Sequence, residues 1–228
     1  MHIETGVVQG TKMLLSYGTA VGVIGMGAKL AFDHIKENGA LSLLLKTIIS
    51  TLLVFVFFEV FPHYPIGVSE VHLILGTTLL LVFGVAPAMV GLALGLLLQG
   101  LTVAQFDLPQ YGINVTTLLA SMVILNYATQ KIVPKGTAYK DISYSQMLKM
   151  SVIWEGAIVS WVAFWAFYGQ GFGAENLQNV LSFGGAYMLV VIIEPFIDLT
   201  VLALVKTFYK SDSCHLFFNK RLTNCKAS

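Results

Sequence analysis

Long apolar runs separated by short polar breaks set the pattern of this chain. Seven stretches stand out, at about 11–32, 41–61, 70–85, 86–106, 112–133, 145–169 and 180–206. Each is near the roughly 20 residues that a helix needs to cross the hydrocarbon of a bilayer. The runs are continuous rather than alternating, which predicts helices and not a barrel. The third is the shortest, and its boundary with the fourth falls around Gly84 and Pro87. The pattern therefore predicts an all-α polytopic bundle of about seven transmembrane helices over residues 1–210, followed by a polar cytoplasmic tail, 211–228. Gly18-x-x-x-Gly22 and Gly91-x-x-x-Gly95 predict close contacts between helices.

Composition strengthens the membrane reading. Of 228 residues, 56% are apolar and only 11% are charged, where soluble domains carry about 25% charge. Basic residues set the orientation. With the N-terminus outside and the C-terminus inside, twelve of the 13 lysines and arginines fall at cytoplasmic ends, and only Lys12 does not. That topology puts loop 62–69 outside, with His72 just below the surface on the same side as the N-terminus. Glu70, Asp107 and Glu175 lie on the outer loops, with Glu4 and Glu59 near the same face, a single-sign cluster that would concentrate cations. A net charge of +1 carries no signal for nucleic acid. MHIETGVVQG has neither a basic leader nor a cleavage site. Met1 is thus expected to be kept, with the bulk of His2 shielding it from trimming.

The candidate chemistry begins at Met1-His2. A free amine, the next amide nitrogen and the His2 imidazole can fill three corners of a square in two fused chelate rings. A second imidazole can fill the fourth. Such nitrogen sets suit Ni²⁺ and Cu²⁺, with Co²⁺ a near relative. His72 and His63 are the two imidazoles on the outer side, and His72 is preferred because it is expected on the first turn of a helix, where it would be better fixed than on a loop. Asn114 reads either as the N-cap of the fifth helix or as a group that orients a ligating imidazole. Glu70 and His63 are further candidates for that supporting role. Glu155, Glu194 and Asp198 are acids inside predicted spans, where such residues usually face the bundle interior; lysine pairing and partner docking both remain open for them. Cys214-His215 and Cys225 match no zinc spacing and are read as solvated thiols. The chain lacks a phosphate-binding G-x-x-x-x-G-K-[ST] loop, an H-E-x-x-H motif and a convincing nucleophile constellation, so an enzyme is not expected.

With Met1-His2-Ile3, Gly67-Val68-Ser69-Glu70-Val71-His72 and Gly112-Ile113-Asn114 in place, the chain resembles the CbiM/NikM family. These are the substrate-capture subunits of energy-coupling-factor transporters for cobalt and nickel. The resemblance covers the start and the run from about Pro65 to Asn126; the last two helices match only in hydropathy. It implies metal ligands at Met1, His2 and His72, and a six-helix core with an added N-terminal helix. It also implies a membrane transducer subunit and separate ATPase subunits as partners, no catalytic cofactor, and Ni²⁺ or Co²⁺ as the imported cargo across the plasma membrane. Ile3-Glu4-Thr5-Gly6 departs from the acidic, Pro/Asp-containing continuation common in the family. Two other functions compete with this one. An ATP-independent permease would transport metal alone in liposomes, and a structural assembly subunit would not respond to His2→Ala.

Overall fold

The computed structural model describes residues 2–208 and 214–222. Met1 and Cys225 lie outside the described residues, as do the side chains of Cys214 and His215. The chain is an all-α polytopic bundle. Its long helices are α1 (Met13–Asn38), α2 (Ala40–Glu59), α4 (Val85–Thr102), α5 (Tyr111–Ile132), α6 (Tyr144–Gln170) and α7 (Ala174–Phe208), with a short α3 (Gly76–Phe83) in third place and a turn of helix, α8 (Cys214–Phe217), near the end. Six helices are long and apolar enough to cross a membrane. In hydrocarbon every backbone polar group must be satisfied within the protein, and a helix does this inside one segment.

The third crossing departs from the sequence expectation. Residues 70–85 do not form one helix with His72 on its first turn. Phe61–Leu75 instead holds a small antiparallel hairpin, β1 (Tyr64–Ile66) and β2 (Ser69–Val71), in the register Tyr64↔Val71 and Ile66↔Ser69. His72 lies in the extended chain just after β2. Helix α3 has only eight residues, a length of about 12 Å at 1.5 Å per residue. The end of α2 (Phe58) and the start of α5 (Asn114) share one end of the bundle with His72. Lys46, Phe83 and Asn126 share the other. The descent between these ends is therefore made by extended chain from Leu73 followed by α3.

Two residues show why a helix could not run through. Leu75 takes a left-handed conformation (φ 54), which costs a residue with a Cβ roughly 1–2 kcal/mol. Gly76 follows it, and a Cβ there would sit 2.2 Å from the Trp154 ring. The turn from extended chain into α3 thus needs this glycine against α6. At the hairpin tip Gly67 combines a positive φ with a close approach to the Asn179 carbonyl of α7, 2.0 Å from where a Cβ would lie. The hairpin is therefore seated on the bundle rather than left as a free loop.

The two Gly-x-x-x-Gly pairs differ in their surroundings. At Gly91 and Gly95 a Cβ would strike Ser50 and Val54, so α4 lies directly on α2. Among the described residues nothing lies within 4 Å of a Cβ placed at Gly18 or Gly22, so that face of α1 has no packed neighbour among them. Helix α6 opens with a capping box, Ser143 accepting from the Gln146 N–H while the Gln146 side chain accepts from Ser143 N–H. Helix α7 begins earlier than the apolar pattern implied, at Ala174 rather than 180, and carries Pro195 within it.

Residues beyond α7 fold back onto the bundle. Asn219 N–H donates to the Val82 carbonyl at the end of α3. The Arg221 guanidinium donates to the carbonyls of Val133, Pro134 and Thr137 and lies 4.8 Å from the Tyr139 ring centre.

Candidate metal centre

The first residues form a strap that is built into the fold. Ile3 forms a single antiparallel bridge with Ser69 beside the hairpin, with Glu4 N–H donating to Val68 O and Glu70 N–H donating to His2 O, each at 3.0 Å. Ser69 Oγ–H also donates to His2 O at 2.8 Å, and Ile3 N–H donates to Asn114 Oδ1 at 3.0 Å. Ile3, Val7 and Val8 are buried, and each such side chain contributes about 1.5–3 kcal/mol relative to exposure. Further along, Val7 lies so close to α6 that a Cβ at Gly169 would meet its carbonyl. Hydrophobic burial and strand pairing together hold the strap between the ends of α2, α4, α5 and α6.

This strap carries His2 to His72. His2 Nδ1 lies 3.2 Å from His72 Nε2, and Glu70 Oε2 lies 3.1 Å from the first and 2.9 Å from the second. His2, Glu70 and His72 can each offer one ligand atom, all within 4.8 Å of one another. Both imidazoles are 1% exposed. Phe58 packs edge-on against both rings, at 5.1 and 5.4 Å, giving the pair one apolar wall.

Burial disfavours the imidazolium and pushes the His2 imidazole down to about 4. The same cause lowers His72 further. Glu70 responds to opposing effects. Burial raises its carboxyl, but hydrogen bonds from His2 and His72 outweigh this and hold it below the usual carboxylate range. Near neutral pH the centre is two neutral imidazoles facing one carboxylate. With Nδ1–H of His2 and Nε2–H of His72 both donating to Glu70, the far nitrogens, His2 Nε2 and His72 Nδ1, have no partner among the described residues. Gln99 lies beside the His2 ring, and its Oε1 is likewise buried without a partner.

The other sequence candidates take different places. His63 is exposed, donates from Nδ1–H to Phe61 O at 3.2 Å, and stacks on His72 at 5.1 Å with an interplanar angle of 17°; it is not in the three-residue cluster. Asn114 is not the N-cap of α5, which is Gln110; it sits one turn inside the helix, where its side chain fixes the strap at Ile3. Glu155, Glu194 and Asp198 are fully buried. Asp198 accepts from Thr78 Oγ, and among the described residues none of the three acids pairs with a lysine or arginine. Sequence reasoning missed Ser69, Phe58 and Gln99. Ser69 was read only as part of the outer loop 62–69, and Phe58 and Gln99 lie in apolar helix ends that carry no local signal.

A family model described as the cobalt uptake substrate-specific transmembrane region, CbiM, matches residues 2–211. No curated protein and no solved structure matches the chain.

Proposed function

The chain belongs to the CbiM family of cobalt-uptake transmembrane proteins, and from that premise we propose that it captures Co²⁺ or Ni²⁺ at the His2–His72 end and passes it inward as the substrate-binding subunit of an energy-coupling-factor transporter. Membership makes it a multi-pass membrane component of metal uptake rather than an enzyme. The proposal adds the ligands: the Met1 amine, the His2 amide nitrogen, His2 Nδ1 and His72 Nε2.

One observation carries this reading. The imidazole nitrogen that a chelate with the residue's own amide requires is Nδ1, and Nδ1 is the atom that faces His72 at 3.2 Å. With metal–nitrogen bonds of about 2.0 Å, adjacent corners of a square are roughly 2.8 Å apart and opposite corners about 4 Å. His72 Nε2 therefore fits the corner next to His2 Nδ1 after a shift of a few tenths of an ångström. Metal binding requires lone pairs on those two nitrogens, which moves their protons to His2 Nε2 and His72 Nδ1, and it displaces the His2 amide proton to solvent so that the amide nitrogen can ligate. Gln99 Oε1 is placed to receive the first of these, the kind of outer hydrogen bond that fixes a ligating tautomer. Energy comes from separate ATPase and transducer subunits, and the open Gly18–Gly22 face of α1 is a candidate surface for the transducer.

The geometry also favours a second donor set. Glu70 Oε2 touches both imidazoles, so His2, Glu70 and His72 could hold the ion without the amine. The ligand-field spectrum of the Ni²⁺-loaded protein separates the two. A four-nitrogen square gives a diamagnetic centre, and that is the expected result. A paramagnetic nickel centre that survives acetylation of the amine assigns the carboxylate set instead.

A further inference from the structure

We propose that the end of the bundle opposite His2 holds a phosphate-binding site, formed by Lys46, Lys220 and His34 around a cavity of about 200 Å³, whose occupant is the headgroup phosphate of an anionic lipid or free phosphate. Four parts of the fold converge there. The last turns of α1 bring His34 and Asn38, and the first turns of α2 bring Lys46. The Gly84 link between α3 and α4 forms the floor, and the returning tail brings Asn219 and Lys220.

Lys46 lies at the centre of the site. It is 1% exposed, yet it opens onto this cavity. Among the described residues no carboxylate lies within ion-pair distance of it; the ion pairs found are those of Glu70 with the two histidines. A buried ammonium without an anion is costly. The nearest charges make matters worse rather than better, since Lys46 and Lys220 lie close enough to repel each other and His34. Glu37 lines the cavity, but its side chain is exposed at the rim. The site therefore holds an excess of positive charge that an anion would neutralise.

The donors suit a phosphate in number and direction. Lys220 uses one of its three N–H groups on the Glu37 carbonyl at 3.2 Å. Asn219 Oδ1 accepts from Arg221 N–H, which turns its amide nitrogen toward Gly84. Asn126 adds a side-chain amide from α5. The 18-residue α4 begins at Val85 in the cavity wall, and the first amides of a helix favour an anion. Several donors converging from different elements match an anion with several oxygens. Lys36 in the last turn of α1 and Lys131 in the last turn of α5 lie at this same end, the level at which anionic headgroups sit. A bound phosphate would join the tail to α1 and α4, so occupancy is linked to the docking of residues 214–222.

The test uses the full chain in neutral detergent, titrated separately with inorganic phosphate and with short-chain phosphatidylglycerol, against sodium chloride at matched ionic strength. Thermal unfolding and hydrogen exchange over 214–222 are read. The expected result is a higher melting temperature and slower exchange with at least one probe. Lys220→Gln should weaken the half-saturating concentration about tenfold, the equivalent of one charge-assisted hydrogen bond. It should leave metal binding at the His2 end unchanged. Lys46→Gln should act similarly, and because Lys220 is only partly buried its variant remains informative if the Lys46 variant fails to fold. A response to phosphatidylglycerol alone assigns a lipid, and an equal response to inorganic phosphate assigns the free ion. No response beyond that of chloride, or an equal response in Lys220→Gln, overturns the site.

Discussion

Removing the Asn114 side chain tests whether the strap is held as described. Asn114→Ala deletes the acceptor for Ile3 N–H, which lies at 3.0 Å inside a region where Ile3 is 0% exposed. The variant leaves that buried donor without its protein partner, at a cost of about 1–3 kcal/mol. At 1.4 kcal/mol per factor of ten, that is about a fivefold to 150-fold rise in the opening constant of the strap. The Glu4 amide is the reporter of choice, because its own bond to Val68 O is untouched by the substitution. Hydrogen exchange at Glu4, under conditions where the rate follows the opening equilibrium, should accelerate by that factor. Metal affinity should fall only once the open strap becomes a major species, because the ion binds the docked form alone. Asn126→Ala, toward the other end of the same helix, should leave Glu4 unchanged. If Glu4 exchanges at the wild-type rate in Asn114→Ala, the side chain does not hold the strap and this part of the reasoning fails.

Other outcomes follow from the same geometry. The His2 imidazole is lowered from 6.5 to about 4, so between these values the undocked strap binds more protons than the docked one, and docking stability rises with pH. Lowering the pH from 6.5 to 5 in the metal-free protein should therefore weaken docking by about 1.5 kcal/mol, read as faster exchange at Glu4, and a flat profile would contradict it. Glu70→Gln keeps an acceptor beside the imidazoles but removes the charge; if the four nitrogens hold the metal, affinity should fall less than tenfold, whereas a loss above a hundredfold would make Glu70 a ligand. Gly91→Ala drives a methyl into Ser50 and should destabilise the α2–α4 contact by about 1–3 kcal/mol, while Gly18→Ala should change thermal stability by less than about 0.5 kcal/mol.

The sequence made the long helices readable because continuous apolar length is a property of each segment alone. Helices α1, α2, α4, α5 and α6 arise from such runs. The third crossing was not readable, since the hairpin from Tyr64 to Val71 is stabilised by partners distant in the chain. Ile3 bridges to its outer edge at Ser69 and Asn179 seats its tip. His72 was recognisable as a candidate, but the reason given for preferring it, a helical setting, does not describe its place. Burial beside Phe58 and contact with Glu70 fix it instead. Asn114 stood out as a polar residue at a helix start, yet its partner lies 111 positions earlier and no local pattern indicates it. Lys46 read as one more cytoplasmic lysine; only the packing of α1, α4 and the tail around it shows that it is enclosed.

Metal titration of the purified full-length chain against the same chain with one alanine placed before Met1 addresses the core of the proposal. The extension leaves His2, Glu70 and His72 in place but moves the amine away from the His2 nitrogen. Tight Ni²⁺ and Co²⁺ binding by the native chain and its loss in the extended one is the expected pair of results. Equal affinity in both chains would contradict a centre built on the N-terminal amine.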